Sequence, residues 1–118
     1  MISPASRTKV KMAAAAKYVR VLSERVMIRQ LEGPVARLMD EVQHRVMQQP
    51  GLMQYETLQD TKSPNNYLVL TKWESREHLA RWLRDPDYQR IVAKMDKVLQ
   101  APATYKVLEK PEGTMFLL

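Results

Sequence analysis

Asn65 to Asp85 reads NNYLVLTKWESREHLARWLRD, and a strand running into a short helix can be followed through it residue by residue. Tyr67 to Trp73 is rich in Tyr, Leu, Val, Thr and Trp and reads as a strand. The Ser75 hydroxyl can cap the helix that follows, which reads as Ser75 to Leu83. On that helix His78, Leu79, Trp82 and Leu83 share one side, while Arg76, Glu77, Arg81 and Arg84 hold the wet side. The only two tryptophans of the protein, Trp73 and Trp82, both fall in this strand–helix corner. It is therefore the place to look for a pocket.

Downstream, Asp85-Pro86-Asp87 restarts a helix: a capping aspartate, a proline at the first helical position and an acid in the first turn. Tyr88, Ile91, Val92, Met95, Val98 and Leu99 give it one apolar face. Pro102 closes it, and Thr104 to Glu109 reads as the last strand. Upstream, Asp60 to Asn66 is a turn or loop, and Leu52 to Gln59 is a strand pairing with Tyr67 to Trp73 as a hairpin. Gln49-Pro50-Gly51 ends a helix that reads as Val35 to Gln49, after a break at Glu32-Gly33-Pro34. On this helix His44 lies about 200° round from Val42 and faces solvent.

Lys17 to Arg29 reads as a long first strand. Alternation puts Val19, Val21, Ser23, Arg25 and Met27 on one face and Tyr18, Arg20, Leu22, Glu24, Val26 and Ile28 on the other. Neither face is cleanly polar. The order β-α-β-β-α(α)-β is the split βαβ, ferredoxin-like topology, an α+β fold whose four-stranded antiparallel sheet carries its helices on one face. The other face keeps apolar side chains. A second copy related by a two-fold axis is its simplest cover, which predicts a homodimer packed as an α+β barrel.

At 118 residues the chain has the size of one domain and can bury a core without staples. The boundaries read as a flexible basic tail over residues 1–16, a folded domain over 17–110 and a C-terminal tail over 111–118. The absence of cysteine excludes disulfides, thiolate metal sites and cysteine nucleophiles. No apolar run approaches the ~20 residues of a membrane span. The net charge is +6, but five of the nineteen Lys and Arg residues fall in the first twenty positions with no acid among them. The folded part is almost neutral, which argues against a nucleic-acid surface. The compartment expected is the cytoplasm, with organelle targeting by the basic, acid-poor N-terminus as the alternative. No phosphate loop, nucleophile elbow or metal-spaced His/Asp/Glu cluster appears.

Pro50-Gly51 before the second strand, the hairpin ending in Trp73-Glu74-Ser75, and the helix carrying Trp82 together resemble the antibiotic biosynthesis monooxygenase domain family, over about Tyr18 to Leu108. The resemblance implies a small dimeric α+β barrel. It also implies a monooxygenase-like activity, without metal or flavin, on a small aromatic or quinol substrate. A haem-binding, haem-degrading branch is the alternative. That branch implies a tryptophan that Trp82 matches, a histidine where Ile91 and Val92 stand, and an asparagine where Glu24 and Arg25 stand. A non-catalytic dimeric ligand-binding module is the third reading.

The candidate site follows from these readings. Trp73 and Trp82 are expected as core or as walls of a pocket between sheet and helices. His78 is the imidazole nearest to acid/base duty, with Trp82 beside it, against the plainer reading of a half-exposed histidine flanking the apolar stripe. Arg25 is a candidate partner for an anion or an interface ion pair, and Tyr88 a candidate phenol toward a ligand or a packing residue. No cofactor is expected, with haem as the alternative, and the eight methionines read as core rather than as a metal site.

Overall fold

A computed structural model describes residues 18–111. The N-terminal tail expected over 1–16, with its targeting alternative, and all but the first residue of the C-terminal tail expected over 111–118 lie outside the described residues. The elements run β1 (Val19–Val26), α1 (Glu32–Val46), β2 (Leu52–Gln59), β3 (Asn66–Trp73), α2 (Arg76–Leu83), α3 (Pro86–Asp96) and β4 (Thr104–Leu108). The sheet is antiparallel, in the order β2-β3-β1-β4, so the α+β ferredoxin-like expectation holds.

The bounds of three elements differ from the sequence reading. Helix α1 starts at Glu32 and takes Pro34 into its first turn, where a missing N–H leaves no helical bond unmade. It ends at Val46, before Gln49. Helix α3 stops at Asp96, and Leu99 instead bridges to Met27 beyond the end of β1. Strand β1 ends at Val26 rather than Arg29, and Gln30 then turns the chain with φ 75°. Its backbone N–H donates to the Glu32 carboxylate at 2.8 Å. The two later helix starts follow their sequence signals. The Ser75 hydroxyl accepts from the His78 backbone N–H at 3.2 Å, and Pro86 opens α3 behind Asp85.

One face of the sheet carries Val19, Val21, Val69 and Trp73 against Val35, Val42 and Val46 of α1, Leu79 and Trp82 of α2, and Tyr88, Ile91 and Met95 of α3; all are buried. Directly paired residues of antiparallel strands share a face. Rows can therefore be followed across the sheet: Tyr55, Thr71, Val21 and Val107 form one, and Thr57, Val69, Ser23 and Tyr105 the next. The opposite face presents Leu22, Val26, Leu68 and Leu70, all half-buried, with Leu58 and Leu108 exposed beside them. In the row through Leu22 and Leu70, Glu56 stands at the β2 edge and Lys106 at the β4 edge.

Candidate functional site

Between sheet and helices lies a cavity whose floor crosses the sheet from edge to edge. Tyr55 contributes from β2, Val69 and Thr71 from β3, Val21, Ser23 and Arg25 from β1, and Tyr105 from β4; Val42, Val46, Leu79, Trp82, Leu83 and Tyr88 form the roof. Its interior measures about 30 Å³ to the centre of a water-sized sphere. That is room for a water or two.

Arg25 dominates its chemistry. Alternation along β1 turns the side chain inward, and only 3% of the residue is exposed. Its Nη1 donates to Ser23 Oγ at 2.7 Å and its Nε to Met95 Sδ at 3.1 Å. Among the described residues no carboxylate pairs with it. A guanidinium is charged at every working pH, and an ion taken out of water costs several kcal/mol unless a counter-charge meets it. A hydroxyl and a thioether are modest compensation, so the cavity is set up to attract negative charge.

Tyr88 faces the same space. Its hydroxyl lies 3.3 Å from that of Tyr105. Burial first, then the neighbouring Tyr105, pushes the Tyr88 phenol well above its ordinary range, with Arg25 pulling the other way. Tyr88 is therefore a neutral hydroxyl throughout the physiological range, able to donate to an anion and unable to act as a phenolate base. Tyr105 is 43% exposed, so the pair joins the cavity to solvent at the β4 edge.

Trp82 forms part of the roof, stacked on Tyr88 with ring centroids 4.2 Å apart. Trp73 sits one layer behind, 6.4 Å from Trp82. Fully buried, it donates its Nε1–H to Thr71 Oγ1 at 2.9 Å. Trp73 is thus not a cavity wall, as the sequence suggested, but the support on which Trp82 and Thr71 rest. His78 does not reach the cavity either. Its Nδ1 lies 2.8 Å from Ser75 Oγ. A Cβ built on Gly51 would meet its Cγ at 2.3 Å, so the ring packs flat on that glycine. The same Ser75 hydroxyl that caps the helix holds the imidazole there.

The structure therefore brings Arg25, Trp82 and Tyr88 together and leaves Trp73 and His78 outside. It adds Ser23, Tyr55 and Tyr105. Ser23 was legible as sharing a strand face with Arg25, two positions later, though not which face is interior. Tyr105 needed the β1–β4 register, which sets it opposite Ser23. The lining offers iron no imidazole or thiolate, and the buried Tyr88 resists becoming a ligating phenolate; these residues do not fit haem. Among the described residues no three His, Asp or Glu side chains gather as a metal site. No helix among them is long and apolar enough to cross a membrane.

An antiparallel ferredoxin-like sheet roofed by three helices, with an interior cavity between the layers, defines the class: a small α+β domain of the split βαβ type. Solved structures share it. A conserved protein from Methanosarcina mazei Go1 superposes with a TM-score of 0.77 at 14% identity, over 82% of this chain and 96% of that one. Rv0793 from Mycobacterium tuberculosis gives 0.73 at 17%, over 81% and 97%. A variant of SnoaB, a cofactor-independent oxygenase from Streptomyces nogalater, gives 0.71 at 11%, over 83% and 97%. At such identities the likeness is one of fold. No curated protein matches the sequence. The chain belongs to the antibiotic biosynthesis monooxygenase family, whose model matches residues 32–94.

Proposed function

We propose that the protein is a homodimeric, cofactor-independent monooxygenase acting on a small aromatic phenol or quinol. The observation that carries this reading is the buried Arg25, without a carboxylate partner among the described residues, aimed with the neutral Tyr88 hydroxyl into an interior roofed by Trp82. Family membership and the likeness to a named cofactor-independent oxygenase support it.

A phenol whose oxygen reaches that interior lies beside a fixed cation in a water-poor site, where electrostatic stabilisation of the anion is strong. Arg25 and Tyr88 hold the substrate oxygen as phenolate, and the released proton leaves through the Tyr88–Tyr105 pair to solvent. The phenolate ring is electron-rich enough to reduce dioxygen itself. One oxygen atom forms a bond to ring carbon in place of hydrogen, and the other leaves as water, so that a naphthol plus O₂ gives a naphthoquinone plus H₂O. The protein's part is to hold the anion, shield it from water and orient it. A panel of phenols including 1-naphthol, with ¹⁸O₂ and metal-stripped protein, tests this. One labelled oxygen in the quinone supports the proposal. No consumption of any phenol, or label arriving only from water, overturns it.

The homodimer rests on the second sheet face. Its apolar centre, Leu22, Leu68 and Leu70, is flanked by Glu56 at one edge and Lys106 at the other, which suits a face-to-face copy better than water.

A further inference from the structure

The inner cavity is too small for an aromatic ring, and Tyr55 marks where more room begins. Next to it along the strands lies an outer bowl of about 320 Å³, floored by Met27, Thr57 and Tyr67 and walled by Ala36, Met39 and Gln43 of α1. That volume is in the range of small-molecule sites. Among the described residues, Tyr55 alone lines both spaces. The two floors share rows of one sheet face: Arg25, in the inner cavity, pairs directly with Tyr67, in the outer bowl.

The tyrosine is weakly held. Strand β2 is an edge strand paired only to β3, with a register shift between Leu52 and Gln54 just before Tyr55. Such irregularities re-aim side chains and loosen the local ladder. The ring is half-buried, and among the described residues its hydroxyl meets only the Thr57 hydroxyl, at 3.5 Å, beyond a good O–H···O bond. A side chain so placed changes rotamer at small cost.

Resting on the aromatic-substrate reading above, we propose that Tyr55 is the partition between head site and outer bowl, and that it determines which substrates fit by their number of fused rings. The phenolic oxygen occupies the head site at Arg25 and Tyr88, and the ring that carries it lies at Tyr55 where the two spaces meet. Further rings pass Tyr55 and lie in the bowl between α1 and the Tyr67 end of the sheet. Tyr55 folded inward excludes them, and Tyr55 folded outward admits them.

Dissociation constants for phenol, 1-naphthol and 9-phenanthrol, read by quenching of Trp82 fluorescence and checked by calorimetry, test the proposal without requiring turnover. Tyr55→Ala should tighten 9-phenanthrol by roughly tenfold more than it changes phenol, the range expected when a hydrophobic pocket gains or loses volume. Tyr55→Trp should do the reverse. Ala36→Phe, at an exposed helix position on the bowl wall, should weaken 9-phenanthrol and spare phenol whatever Tyr55 does to folding. Equal changes across the three probes in these variants overturn the partition and leave the aromatic-site reading standing. Failure of every probe to bind any of the proteins overturns both.

Discussion

Replacing Arg25 with methionine should make the protein more stable and less able to hold an anion. The guanidinium is 3% exposed and bonded to Ser23 Oγ and Met95 Sδ, with no acid partner among the described residues. Burying an ion costs several kcal/mol even after relaxation. A hydrogen bond to a charged donor returns about 1.5–3 kcal/mol, and the soft thioether less, so the two bonds do not clearly offset the burial. Methionine fills most of the same volume without charge. Exchanges of this kind range from neutral to about 1–4 kcal/mol stabilising, less about 1 kcal/mol for the Ser23 hydroxyl left without its donor. The net expectation is between zero and about 3 kcal/mol of added stability, and each kcal/mol raises Tm by roughly 4–8 °C in a domain of this size. Removing an anion-stabilising group should at the same time lower kcat by about 10²–10³. Denaturant unfolding and turnover of the same preparation measure both. A variant destabilised by more than about 2 kcal/mol that still binds phenols normally would show that Arg25 is a structural strut, and the reasoning would be refuted.

The other predictions bear on neighbouring features. Tyr88 has a phenol pKa raised by burial and by Tyr105, so its contribution to stability is complete below the ordinary value of about 10 and is lost as pH rises toward the folded value. Denaturant unfolding between pH 8 and 11 should show that decline above about pH 10 in the wild type and a shallower one in Tyr88→Phe; identical slopes would contradict the burial argument. Gly51→Ala should destabilise by about 1–3 kcal/mol, since φ is +86° and the added Cβ would strike the His78 ring, with left-handed strain supplying about 1–2 kcal/mol of it. Combining it with His78→Ala should recover the steric part in a double-mutant cycle, while His78→Ala alone leaves turnover within about twofold; a severe loss of turnover would return the imidazole to the mechanism. Leu70→Arg should convert the proposed dimer into a folded monomer by light scattering, and a wild type already monomeric in dilute solution would remove the second-copy argument.

The strand–helix corner was legible because each signal was local and agreed with its neighbours: alternation from Val69 to Trp73, the Ser75 cap and the Asp85-Pro86 restart. The position of Arg25 relative to the helices was not. Strand β1 is mixed on both faces, and only the packing of α1, α2 and α3 decides which face becomes interior. His78 lies outside the cavity because, although helical spacing sets it beside Leu79 and Trp82, the Ser75 hydroxyl draws its ring down onto Gly51. Trp73 is a fully buried aromatic one layer behind Trp82. Tyr105 was missed because β4, as TYKVLE, gives no hint of its register; pairing with Ser23 across β1 carries its phenol to the cavity mouth. Tyr55 looked like one member of a weakly alternating strand, and its importance arises only where two separate hollows meet.

The most direct measurement is the ionisation of 1-naphthol bound to the wild-type protein, followed by its ultraviolet absorbance across pH and compared with free 1-naphthol and with the Arg25→Met complex. An unopposed buried cation predicts that bound naphthol ionises at least about one pH unit below free naphthol, and that the shift disappears in Arg25→Met. Bound naphthol that ionises at the free value or above it, with Arg25 intact, would contradict the claim that this cavity is built to hold an aromatic anion.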